Sequence, residues 1–284
     1  MPQQESAYIP GTEYVHANTK DRDASFVMSG HHCHSSNELY YVHSGACRFL
    51  IEDSFYDLTA GDMILIPPRV LHYTRFVFGA CTRTVILFRR EDVARDLLQC
   101  SPQAERLLTE TTLFRVPLES AAQINGWIRQ LTAEEKNQDP FTAPLRRCCL
   151  QGLLLLCCRV CDPAPGTPGD IRTGDKQILK AARYISEHYM NPITTGDVAR
   201  AVSFSPNYLS RRFRAAAGIG LHEYIVFVRL HHAAQELLST SDSITAIALR
   251  CGFSDSNYFK DSFKKKYGVT PRSYRKISLS GDNT

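Results

Sequence analysis

The chain has 284 residues, 43% hydrophobic and 22% charged, a balance that excludes a disordered polymer and leaves length for two domains, each with its own core. Its longest apolar run, residues 153–158, is far too short to cross a bilayer, and its start, MPQQESAYIP, lacks the basic and apolar parts of a secretory signal; a cytoplasmic, non-membrane protein is expected. The net charge of +4 is unevenly spread, because residues 176–284 hold 16 Lys and Arg against 8 Asp and Glu, whereas residues 1–175 hold 17 against 21. A basic part beside a mildly acidic one is expected when one domain meets phosphate and the other does not.

In chain order, residues 1–30 read as an arm and a first strand. From Glu38 to about Phe88 come short strands, ELYYVH, CRFLIE, DMILIP and TRTVILF, separated by turns at Ser44-Gly45 and Ala60-Gly61-Asp62. Many short strands at near-regular spacing predict a β-barrel or sandwich. Residues 91–161 read as helical. Within them PLRRCCLQGLLLLCCRV places Leu145, Cys149, Leu153 and Leu156 at helical spacing. The ten cysteines include five crowded into this one apolar segment, which suits reduced thiols used as small apolar residues rather than disulfides. Residues 162–175, DPAPGTPGDIRTGD, form a linker by composition. The domains expected are thus 1–161, a linker over 162–175, and 176–284.

The last part repeats itself. Asn207, Tyr208, Phe213, Gly218 and Tyr224 recur 50 positions later as Asn257, Tyr258, Phe263, Gly268 and Tyr274, while Ala199, Val202 and Phe204 are matched at 49 by Ala248, Cys251 and Phe253. A one-residue slip in a turn accounts for the change of offset. Each copy holds a short helix, a turn and a second helix, with Ser205-Pro206 as start and Gly218 as stop in the first copy, and Ser254 or Asp255 as cap in the second. Leu209 and Phe213, then Phe259 and Phe263, face inward. The opposite stripes carry Asn207, Ser210, Arg211 and Arg214, then Asn257, Lys260, Asp261 and Lys264. Asn suits adenine and Arg suits guanine in a major groove, while Arg212 and the lysines 264–266 suit phosphate.

These stretches, FSPNYLSRRFRAAAG and IALRCGFSDSNYFKDSFKKKYGVTPRSYRK, resemble the DNA-binding module of AraC/XylS-type transcription regulators over about residues 176–277. The resemblance implies two helix-turn-helix units joined by a longer helix, about 221–238, that read successive major-groove turns of double-stranded DNA. Carried over by position, Asn207, Ser210 and Arg211 would read bases in the first unit, and Ser256, Asn257 and Lys260 in the second, with Arg212 and Lys264 on phosphates. Asp261 stands where the family usually has a basic residue; reading a cytosine amino group or pairing with a nearby lysine are both open.

The run GHHCHSSNELYYVHSG and the later GDMILIPPRVLH resemble the paired motifs of cupin β-barrels, with His32, His34 and Glu38 in the first and His72 in the second. Arg69 departs from the glycine common there. In metal-dependent cupins these positions hold a divalent ion; in effector domains of AraC-type regulators similar residues line a pocket for a small molecule, often a sugar. Both readings stay open, a pocket formed by His32, His34, Glu38 and His72 or a metal held by them. The fold expected is a two-domain α+β protein, a cupin-like β-barrel with trailing helices followed by an all-α module with two helix-turn-helix units. The function expected is that of a transcription regulator, commonly an activator, controlled by a small effector. It would act as a homodimer, with the 144–160 helix as one dimer contact, and meet RNA polymerase. A metal-dependent cupin enzyme with a DNA-binding tail, and a constitutive DNA binder whose barrel only dimerises, are the rivals.

Overall fold

The alternation in NELYYVHS governs the N-terminal part, because strand β2 (Asn37–Ser44) buries both of its faces. Leu39 and Tyr41 join a cluster with Met63, Leu65, Ile86 and Phe88 and with helix residues such as Ile124, Leu150 and Leu153. Tyr40 and Val42 join the other cluster, with Cys47, Phe49, Leu58, Ile64 and Ile66. One face of the sheet is therefore covered by helices and the other by a second sheet.

This computed structural model describes residues 15–23, 26, 36–52, 54–68, 70, 72–76, 78–93, 97, 99–100, 104–161, 163–165 and 173–281. The chain divides into two units, Met1–Asp170 and Ile171–Thr284. In the first, β2 lies in a sheet with β1 (His16–Arg22), β5 (Asp62–Ile66), β7 (Cys81–Phe88), β8 (Thr112–Arg115) and β9 (Pro163–Pro165), in the order β1-β7-β2-β5-β8-β9. The second sheet runs β4-β3-β6, from Ser54–Thr59, Ala46–Ile51 and His72–Arg75.

The cupin-like β-barrel expected from the sequence does not form. Among the described residues β1 and β9 are the edges of one sheet, β4 and β6 are the edges of the other, and no pairing joins edge to edge or sheet to sheet. Closure needs an edge strand to find a partner across the gap. Regular strand spacing announces strands, not partners. The domain is an open two-sheet structure backed by α1 (Ala104–Thr109), α2 (Ala121–Ala133) and α3 (Thr142–Val160). Strand β8 also interrupts the stretch expected to be helical; Phe114 pairs with Met63 across β8 and β5. On α3 the buried stripe is Cys149, Leu150, Leu153, Leu154, Leu156 and Cys157, while Leu145, expected on it, is 46% exposed.

The second unit is helical: α4 (Thr173–His188), α5 (Thr195–Ala201), α6 (Pro206–Ala217), α7 (Leu221–Ser239), α8 (Ile244–Arg250), α9 (Ser256–Tyr267) and α10 (Pro271–Gly281). The repeat becomes geometry. Helices α5 and α8 have seven residues each, and α6 and α9 have twelve each. Each turn is closed by the same bond, Phe204 N–H to the Ala199 carbonyl at 2.9 Å and Phe253 N–H to the Ala248 carbonyl at 3.0 Å. Both long second helices end on a glycine in the left-handed region, Gly218 at φ 81° and Gly268 at φ 75°. The slip in offset is Ser254, the extra residue between Phe253 and the cap Asp255.

Candidate nucleic-acid interface and effector site

Helix α6 starts where Ser205 caps it, its hydroxyl accepting from Tyr208 N–H at 3.3 Å, with Pro206 at the first position. Leu209 and Phe213 are fully buried, so the opposite stripe must face water: Asn207 and Arg211 are exposed, Ser210 and Arg212 half-buried. Helix α9 repeats this. Asp255 caps it by accepting from Asn257 N–H at 2.8 Å; Phe259 and Phe263 are buried; Asn257, Lys260 and Lys264 are exposed and Ser256 half-buried. The structure thus places the eight residues singled out from the sequence on two equivalent helices, with Asn207 and Asn257 each two residues after the cap and Ser210 and Lys260 each five after it.

Their electrostatics set them apart from three arginines of the same unit. Arg200 pairs with Asp197 at 3.2 Å, Arg214 with Glu223 at 3.4 Å, and Arg250 with Glu236 and, at 2.7 Å, with Asp242. Among the described residues no carboxylate pairs with Arg211, Arg212, Lys260 or Lys264. A cation already paired must give up that partner to meet an anion; these four need not. Asp261 is exposed, and no ion pair engages it, so the lysine pairing left open by the sequence is not made.

Two aromatic residues were missed as surface features. Tyr208 and Tyr258 are 40% and 47% exposed, next to Asn207 and Asn257. Each lies on the phenylalanine of its own turn, Tyr208 edge-on to Phe204 at 4.8 Å and Tyr258 tilted on Phe253 at 6.2 Å. The Arg211 guanidinium lies 5.9 Å from the Tyr208 ring centre. Their recurrence in the repeat was the available signal.

In the N-terminal unit the structure brings two of the four predicted residues together. Glu38, on β2, and His72, on β6, come from different sheets and approach to 3.5 Å between Oε2 and Nε2. Both are buried. The other ring nitrogen of His72 lies 3.0 Å from the Val70 carbonyl, which can only accept, so Nδ1–H donates. Apolar neighbours in register surround the pair: Ile66 and Leu87 opposite Glu38, and Ile51 opposite His72. Two residues along the same face of β2, the Tyr40 hydroxyl is buried beside the Cys47 thiol, and burial holds it well above the usual phenol range. His32, His34 and Arg69 lie outside the described residues, and among those described no three His, Cys, Asp or Glu side chains converge as metal ligands. One Cys-x-x-Cys spacing, Cys158 and Cys161, sits at the end of α3; burial pushes the Cys158 thiol up to about 11, the opposite of a reactive thiol.

Among the described residues no helix is long and apolar enough to cross a membrane. A profile described as an AraC-like ligand binding domain matches residues 19–144, and one described as a helix-turn-helix domain matches residues 198–277. The chain is 28% identical over 245 residues to the uncharacterized HTH-type transcriptional regulator YijO of Escherichia coli, covering 84% of this chain and 83% of that one. It is 26% identical over 247 residues to the HTH-type transcriptional activator RhaR of Mannheimia succiniciproducens, covering 86% of each. Over 102 residues it is 41% identical to the regulatory protein PocR of Salmonella typhimurium, 36% of this chain and 33% of that one. The chain thus joins a segment similar to AraC-like ligand binding domains to a helix-turn-helix domain, and along most of its length it is similar to HTH-type transcriptional regulators, the architecture of a DNA-binding regulator with a separate ligand-binding domain.

Proposed function

We propose that α6 and α9 read successive major-groove faces of one operator, and that a small polar molecule held in the N-terminal domain controls this reading. The observation that carries the first half is the equivalence of the two helices: same length, same distance from cap to Asn, and unpaired cations on the exposed stripe. Asn207 would take adenine and Arg211 guanine, each through two bonds, with Ser210 beside them. Ser256, Asn257 and Lys260 would do the same in the second unit, and Arg212 and Lys264 would hold phosphates, which add affinity without sequence information.

For the effector, the buried Glu38–His72 pair and the buried Tyr40 hydroxyl supply acceptor and donor groups among apolar walls, a set suited to a hydroxylated molecule of the sugar class. It acts only by binding the DNA-competent arrangement more tightly than the other. Relatives named as activators support activation, with RNA polymerase as the further partner and a homodimer as the working form.

Selection of bound duplexes from random-sequence DNA by the full chain tests the reading. A site with two conserved elements about one helical turn apart is expected. Enrichment of no sequence, or of a single short element, overturns it.

A further inference from the structure

Arg229 lies midway along α7, the helix that joins the first and second helix-turn-helix units. A charged residue at such a place ordinarily faces water. Here its Nε–H donates to the Tyr189 carbonyl at 2.8 Å and its Nη2 to the Asn191 carbonyl at 2.7 Å. Both acceptors follow the end of α4, in the segment that leads into α5 and the first unit. A cation there offsets the partial negative charge of a helix C-terminus, and the planar guanidinium fixes direction as well as distance.

The gripped segment also enters the second unit. Tyr189 packs against the cluster that holds Leu230, Phe253, Phe259 and Phe263. Its ring stacks on His232, also on α7, with centroids 4.0 Å apart and planes 4° from parallel. The turn of the second unit closes on the same point. Gly252 has φ +84°, and a Cβ there would stand 2.2 Å from the Tyr189 carbonyl oxygen and 2.9 Å from Arg229 Nε. Its counterpart in the first unit, Ser203, also has a positive φ, 58°, but carries a side chain and is exposed. The repeat is therefore broken at this junction, which only the second unit makes.

The geometry points to Arg229 as a positioning residue that locks the entry segment of the first unit, the joining helix and the turn of the second unit into one body, and so fixes the spacing and rotational phase at which α6 and α9 meet DNA. This rests on the reading of α6 and α9 as base-reading helices. One base pair added between two target elements moves them apart by about 3.4 Å and rotates one against the other by roughly 34°. Two binding elements on a stiff joint engage together only at the matching spacing, whereas a loosened joint accepts others and binds the matching one less well.

The test uses the full chain, the bipartite duplex it selects, and two duplexes with one base pair added or removed between the elements. The wild type is expected to bind the altered duplexes about tenfold or more weakly, and Arg229→Ala to bring all three within about threefold of one another. Base preferences inside each element should persist in Arg229→Ala, which a mere loss of fold would not allow. Gly252→Ala, which pushes on the same carbonyl, should loosen spacing likewise, and Arg229→Gln carries the test should Arg229→Ala not fold. An unchanged spacing ratio, or an equal loss on all three duplexes, overturns the positioning role while leaving base reading intact. Selection of no bipartite duplex by the wild type overturns both.

Discussion

His72 Nε2 lies 3.5 Å from Glu38 Oε2, and the two residues belong to different sheets. His72 is fully buried and Glu38 nearly so. Removing Glu38 takes a polar neighbour from a buried imidazole, so Glu38→Ala is expected to cost about 1–3 kcal/mol in urea unfolding. Glu38→Gln keeps the shape and should cost less. A sugar-class molecule that raises the melting temperature of the wild type should then leave Glu38→Gln unmoved, since only a ligand that binds the folded site shifts the transition. Equal ligand shifts in both proteins would remove Glu38 from the effector site.

At Gly252 the nearest obstacle to a side chain is backbone, the Tyr189 carbonyl. Gly252→Ala must move that segment or the turn, and about 2 kcal/mol or more of destabilisation is expected. Ser203→Gly, at the matching but open position, should stay within about 1 kcal/mol of the wild type. Chemical denaturation of the two variants side by side checks this, and equal effects would show that the junction is not tight.

Burial on α7, reinforced by the charges of His232 and Lys266, pushes His231 down to about 4 from its ordinary 6.5. The folded chain therefore keeps a neutral imidazole at pH values where the unfolded chain has taken a proton. Above pH 6.5 the effect vanishes; as pH falls from 6.5 toward 4, stability should drop by up to about 3 kcal/mol. His231→Leu should flatten that part of the stability–pH profile. The same slope in both proteins would assign the pH dependence to other groups.

The helix-turn-helix units were legible in the sequence because their signals are local. Ser205-Pro206 starts α6, Gly218 stops it, and the repeat carries the same logic to α9. The strands of the N-terminal domain were legible for the same reason, through alternation in segments such as DMILI. Closure was not, because which edge pairs with which is decided by residues far apart in the chain, and among the described residues β1, β9, β4 and β6 remain edges. Strand β8 is four residues between helices, too short for a period to show. Arg229 was invisible as well: a lone arginine within an amphipathic helix reads as a solvated charge, and only the fold puts two carbonyls within its reach.

Asp261 is exposed on α9 and has no ion pair among the described residues, so its charge acts on whatever approaches that face. Asp261→Arg is expected to raise affinity for DNA and to steepen the dependence of log affinity on log salt by about one. No change in either quantity would show that this part of α9 does not lie against the duplex.

Base reading by the first unit rests most directly on Arg211, exposed and unpaired one helical turn beyond Asn207. The decisive measurement is the affinity of wild type, Arg211→Ala and Lys264→Ala for the selected operator and for every single-base variant of it. Arg211→Ala is expected to lose about 1–3 kcal/mol on the operator and to become indifferent to one base position, while Lys264→Ala weakens all duplexes alike. Uniform weakening by Arg211→Ala, with every base preference retained, would contradict it.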